Sequence, residues 1–257
     1  MTEKRFWTVT LLIITMMALL LTACSSDAAG PPEAEGDPPS SAVEEQQRPL
    51  DDKPPAVLDE EPKRTFSHEP LPDEVIRVIS GVSWQEGAPV ALEELHLVRL
   101  WHWDFEGEPR QGELIVHRDL AEEVTEIFEE LFLAEFPISR VRLIDHYGAD
   151  DHLSMADNNT SALNVREVEG ASGRMSRHSY GVAIDINPVQ NPYVRGERVL
   201  PEAGRAYLNR EDVRPGMITV GDPVWEAFVT RGWIWGGDWT SLKDYQHFEK
   251  PLEEVGL

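Results

Sequence analysis

Apolar residues fall into three regimes along the chain. A continuous run occupies residues 6–23, a sparse and irregular scatter follows over 25–70, and periodic patterns fill 71–257. In the third regime, residues 95–105 (LHLVRLWHWDF) and 113–117 (ELIVH) are apolar or alternating, with Gly107 and Gly112 between them; they predict a strand pair. Leu120, Val124, Ile127, Phe128, Leu131 and Phe132 then recur at helical spacing, with Asp119 as predicted N-cap and Pro137 beyond the end. Residues 141–144 and 181–186 predict two short strands, the second stopped by Asn187-Pro188. Asp222 and Pro223 open a second helix through Val224, Trp225, Phe228 and Val229, and residues 245–249 predict a final edge strand. Strands and helices mix without βαβ alternation, so the expected fold class is α+β: a compact antiparallel sheet with packed helices. Residues 71–257 form one expected domain, and no internal repeat is visible.

The first regime follows Lys4 and Arg5 and ends in Leu21-Thr22-Ala23-Cys24, after which the chain turns polar at once. Eighteen such residues barely span a bilayer. Small residues before a lone cysteine resemble a bacterial lipoprotein signal, which implies removal of the leader and lipidation at Cys24. Residues 1–24 are therefore expected to be a signal peptide with its lipobox, and the rest an extracytoplasmic, membrane-anchored protein. Residues 25–70 hold nine of the 19 prolines, 12 acids, four bases and a single aromatic, Phe66. Such a segment cannot bury enough apolar surface to offset its ordering entropy, and it reads as a disordered acidic tether. About 46 flexible residues span some 35–40 Å on average.

Composition narrows the chemistry. A net charge of −24 argues against nucleic acid, whose phosphates need clustered Lys and Arg. The single cysteine excludes internal disulfides and thiolate zinc sites, so any metal must be held by His, Asp or Glu.

Two of the eight histidines stand in informative surroundings. In Ser176-Arg177-His178-Ser179-Tyr180-Gly181-Val182-Ala183-Ile184-Asp185, the acid sits in an otherwise apolar strand, where burial is costly unless it is paired or bound to metal. The break at 179–181 lets the chain turn so that His178 and Asp185 converge. In Asp244-x-x-His247 the spacing puts both side chains on one side of a turn. Two His and one Asp make a three-ligand zinc site with an open fourth position, the catalytic type, and Asp244 is then a candidate general base. His146 and His152 form a rival pair, but they lie in an acidic loop (Asp145, Asp150, Asp151, Asp157) and are expected to be solvated.

These motifs resemble the zinc D,D-peptidases of the M15 family, closest to its D-alanyl-D-alanine carboxypeptidase and L-alanyl-D-glutamate endopeptidase branch. Ser176-x-His178-x-x-Gly181-x-Ala183-x-Asp185 and Asp244-x-x-His247 carry the resemblance. Ile186-Asn187-Pro188-x-x-Asn191-Pro192-Tyr193 and Gly232-Trp233-x-Trp235-Gly236-Gly237-x-Trp239 extend it. The resemblance implies a compact α+β fold shared with the signalling domain of hedgehog proteins. It also implies one zinc per chain on His178, Asp185 and His247, Asp244 as base, and peptidoglycan stem peptide as substrate. Arg166 matches the family's arginine for the substrate carbonyl or developing oxyanion, with Arg174 and Arg177 as competitors. Ser176 is a candidate hydrogen-bond partner in substrate binding, with a plain turn residue as the other reading. Trp235, Trp239 and Tyr245 are candidates for the cleft floor, although core packing is their commoner fate. A monomer is expected.

A different class of reading is a zinc-containing module that binds wall peptide without cutting it; the presence of Asp244 beside both histidines favours an enzyme. A serine D,D-peptidase is disfavoured because the chain contains no Ser-x-x-Lys, Gly-x-Ser-x-Gly or His-Glu-x-x-His.

Overall fold

The computed structural model describes residues 64–257. The signal peptide, Cys24 and nearly all of the expected tether lie outside the described residues. Strand β1 (Ser67–Pro70) leads into helix α1 (Asp73–Ile79), and the long hairpin β2 (Leu95–Trp103) and β3 (Pro109–His117) follows. Helix α2 (Ala121–Leu133), the short strand β4 (Arg140–Val141), helix α3 (Asp151–Ala156) and strand β5 (Asn159–Thr160) come next. The remainder holds β6 (Ala183–Asp185), β7 (Tyr193–Arg195), β8 (Arg198–Leu200), α4 (Pro223–Val229), β9 (Ile234–Trp235), β10 (Lys243–Asp244) and β11 (His247–Glu249). Three small antiparallel sheets, ordered β1-β2-β3, β10-β7-β8 and β6-β11-β9, plus a parallel β4–β5 pair, make a mixed α+β fold. None of the described helices is long and apolar enough to cross a membrane.

The β2–β3 hairpin is apolar on both faces because both are covered. Val98, Leu100, Leu114 and Val116 pack with Val124, Ile127, Phe128 and Leu131 of α2 in the main core. Leu95, Leu97 and Ile115 pack on the other side with Val75 and Ile79 of α1. The main core continues through Phe228 of α4 to Phe248, whose rings stack with centroids 4.4 Å apart. Phe248 is fully buried and fixes β11 from behind, leaving its neighbours His247 and Glu249 on the opposite face.

Several expectations need correction. Ser67–Pro70 belongs to the folded body: it pairs with β2, and Phe66 meets Phe132 edge-on at 5.7 Å. Asp119 is not the N-cap of α2. A single 3-10 turn over Arg118–Leu120 precedes that helix, and the Asp119 N–H donates to His117 Nδ1. The predicted strand at 141–144 shrinks to Arg140–Val141, because Ile144–Tyr147 forms a 3-10 turn. Strand β11 is central, between β6 and β9, and not an edge. Asp222, by contrast, caps α4 as expected, accepting from the Trp225 N–H at 2.8 Å.

Candidate metal centre

The site is built on strand register. Strands β6 and β11 pair so that His247 lies opposite Asp185, Phe248 opposite Ile184 and Glu249 opposite Ala183. Side chains alternate along a strand, so Asp185, His247 and Glu249 share one face while Ile184 and Phe248 enter the core. His178 reaches this face from a 3-10 turn over Arg177–Tyr180. Ser176 caps that turn, its hydroxyl accepting from the His178 N–H at 3.3 Å. Gly181 ends the turn at φ +68°, and a Cβ there would stand 2.7 Å from the backbone N of His117. Glycine is required on both counts, and the chain then enters β6.

Donor atoms of three side chains converge, with both oxygens of Asp185 taking part. His178 Nε2 is 3.3 Å from His247 Nδ1 and 3.3 Å from Asp185 Oδ2, and His247 Nδ1 is 2.9 Å from Asp185 Oδ1. Among the described residues this is the group of three or more His, Cys, Asp or Glu side chains arranged to hold a metal. A tetrahedron with metal–donor lengths of about 2.0–2.1 Å has edges near 3.3 Å, so separations of 2.9–3.3 Å are compatible with a zinc-sized ion. The outer nitrogens are also occupied: His178 Nδ1 lies 2.6 Å from the Ala162 carbonyl, and His247 Nε2 lies 3.0 Å from Glu249 Oε2. Ala162 is brought there by the bridge between Ser161 and Asp185 on the other side of β6.

Electrostatics reflect the crowding. Burial would raise the Asp185 pKa, but the charge and hydrogen bond of His178, with the bond from His247, hold it far below the usual carboxylate range. Burial would lower that of His247, yet its bonds to Asp185 and Glu249 push it up to about 10. Asp244 is raised to about 6 by burial and then by the charge of Asp185, against the pull of His247, the Gln246 bond and His178. It therefore sits within electrostatic reach of the triad. Gln246 Nε2 donates to Asp244 Oδ1 at 3.1 Å. Gly236 packs on the same residue: a Cβ at Gly236 would lie 2.5 Å from the Asp244 carbonyl.

Arg166 stands on the segment running from β5 towards the His178 turn, its backbone N–H bonded to Ser179 Oγ. Its guanidinium is ion-paired with Asp151, which also accepts from Asn164 Nδ2 at 2.7 Å. The aspartates of the acidic loop have partners of their own. Asp145 accepts from Ser83, Asp150 caps α3, and Asp157 accepts from Tyr147 at 2.6 Å and pairs with Arg140. His146 and His152 are exposed, as expected. Trp235 is buried in the core, while the half-buried Trp239 lies with its ring 5.4 Å from that of His247. Asn187 and Asn191 are buried scaffold residues that both donate to the Gly216 carbonyl. A cleft of about 350 Å³ beside β2 and β3, lined by Arg99, Trp101, Arg142 and His146, includes none of the triad.

Residues 169–250 match the family described as D-alanyl-D-alanine carboxypeptidase of peptidase family M15. Over this segment the chain is similar to M15-family peptidases. The M15 segment holds the triad, Asp244, Ser176 and Glu249; Arg166 precedes it. No solved structure matches the chain.

The residue missed from the sequence is Glu249. Its signal was available: on a strand, His247 and Glu249 are two apart and share a face.

Proposed function

We propose that this chain is a zinc-dependent peptidase that hydrolyses a peptide bond in peptidoglycan stem peptide, of the D-Ala-D-Ala carboxypeptidase or L-Ala-D-Glu endopeptidase type. The observation that carries the reading is the convergence of His178, Asp185 and His247, with donor atoms 2.9–3.3 Å apart, inside the M15 segment. His178 Nε2, Asp185 and His247 Nδ1 would hold the metal. When bound, zinc polarises the scissile carbonyl and lowers the pKa of a water molecule towards about 7.

Asp244 takes the proton of the attacking water as the new C–O bond forms. It returns that proton to the leaving nitrogen as the C–N bond breaks. Arg166, held by Asp151, stabilises the negative charge that develops on the carbonyl oxygen.

Lipidation at Cys24, with the acidic residues that follow as a spacer, holds this site on the outer side of a membrane and facing the wall. The function is tested by incubating the protein with purified muropeptides, with and without chelator, and weighing the products. Chelator-sensitive loss of D-Ala, or cleavage at L-Ala-D-Glu, is the expected result. Tight binding of zinc and peptide without any cleavage would replace the enzyme by a binding module.

A further inference from the structure

The two flanks of His247 are chemically alike, and that creates a problem for metal binding. Nδ1 faces Asp185 Oδ1 at 2.9 Å and Nε2 faces Glu249 Oε2 at 3.0 Å. Both partners are carboxylates, which only accept. A neutral imidazole has one proton, and with Asp185 as its sole neighbour that proton would stay on Nδ1 and block the donor the metal needs.

We infer that Glu249 is the positioning residue of the metal centre: by accepting the Nε2 proton of His247 it frees the Nδ1 lone pair towards His178 and Asp185. The backbone carbonyl of Ala162 does the same for His178, since it accepts at Nδ1 and leaves Nε2 free. Glu249 is itself held. Its Oε1 lies 3.6 Å from Arg177 Nε, and β11 fixes its backbone opposite the small residue Ala183. The imidazole ring of His247 stands between Glu249 and the other donors, so Glu249 acts through His247 and is not a fourth ligand. Outer hydrogen-bond partners of this kind typically change metal affinity by roughly 10–100-fold.

The inference rests on the zinc reading above, and the test separates the two. Zinc affinity of the full-length chain is measured by competition with a chromophoric chelator, alongside Glu249→Ala, Glu249→Gln and Asp185→Ala. Melting of each metal-free protein is followed in parallel. The expected result is tight zinc binding by the parent, no specific binding by Asp185→Ala, and affinity lowered roughly 10–100-fold in Glu249→Ala. Glu249→Gln should retain most of the parent's affinity, because the amide oxygen still accepts from Nε2. Parent-like affinity in Glu249→Ala overturns the inference and leaves the zinc reading standing. Equal losses in both Glu249 variants also overturn it, since a retained acceptor would then count for nothing. A parent chain that binds no zinc overturns the metal reading itself, and the inference with it.

Discussion

Asp185 and His247 stand directly opposite each other on neighbouring antiparallel strands, with Oδ1 2.9 Å from Nδ1. That register is the ruler of the site. A slip of one residue would turn His247 and Glu249 into the core and bring Phe248 out to the site face. Phe248, stacked on Phe228 behind the strand, opposes the slip. The hydrophobic core and the candidate metal centre are thus two faces of the same short strand.

Replacing His178, Asp185 or His247 by Ala should each abolish stoichiometric zinc, whereas His146→Ala and His152→Ala should leave it at about one per chain. Elemental analysis of the purified variants decides this. Zinc uptake must also displace the proton that Asp185 and Glu249 hold on His247, whose pKa in the metal-free protein is about 10. Affinity should therefore fall as pH falls, with a proton released on binding.

For Asp244→Asn the expected effects on activity and stability have opposite signs. As the base, its loss should lower turnover by roughly 10² or more while zinc stays bound. In the metal-free protein the Asp244 carboxyl is raised to about 6, so its ionisation opposes folding. A raised carboxyl contributes most below its unfolded value, and that contribution is lost as pH rises through about 6. Metal-free Asp244→Asn should consequently melt higher than the parent at pH 7–8, by about 2–6 °C. A bound dication would lower the Asp244 pKa, so the acidic limb of the rate profile should lie at or below pH 6. Loss of zinc in the variant would instead make Asp244 a ligand.

Much of this site was legible before any coordinates. An acid inside Val182-Ala183-Ile184-Asp185-Ile186 is anomalous for a buried strand, and the anomaly marks the candidate metal centre. The central place of β11 was not legible, because a run as short as Tyr245–Glu249 carries no sign of how many neighbours it has. The start of the domain was hidden by composition: Pro70 and Pro72 continue the tether's pattern, although Val75 and Ile79 already sit one helical turn apart. The partners of the loop aspartates were not legible either. Caps and side-chain acceptors depend on contacts with distant residues such as Ser83, Asn164 and Arg140, which local pattern does not reveal.

Gly181→Ala should be among the most damaging single changes outside the triad. The left-handed φ of +68° and the 2.7 Å approach to His117 N together suggest a cost of about 2 kcal/mol or more. For a domain of this size that lowers the melting temperature by about 4–8 °C. Because Gly181 links the His178 turn to β6, zinc affinity should fall as well. A variant with parent-like melting and zinc affinity would show that this turn has room to rearrange.

Where the folded body begins has a consequence for how the chain is anchored. Strand β1 covers the outer edge of β2, with an ion pair from Arg99 to Glu69 and the Phe66–Phe132 contact beside it. A protein beginning at residue 71 loses all three and exposes an unpaired strand edge, which invites association. It should melt lower and aggregate more readily than one beginning at residue 58, as scanning calorimetry and light scattering would show. On the spacer reading, shortening residues 25–57 should reduce wall cleavage in cells without changing the purified protein's rate on soluble muropeptides, because the reach of a tether falls with its length. Cys24→Ala should release the protein from the membrane fraction or leave it unprocessed, again with the soluble rate intact. A tether-shortened protein that cuts wall in cells as fast as the parent would remove reach from the account and leave the segment as a passive link.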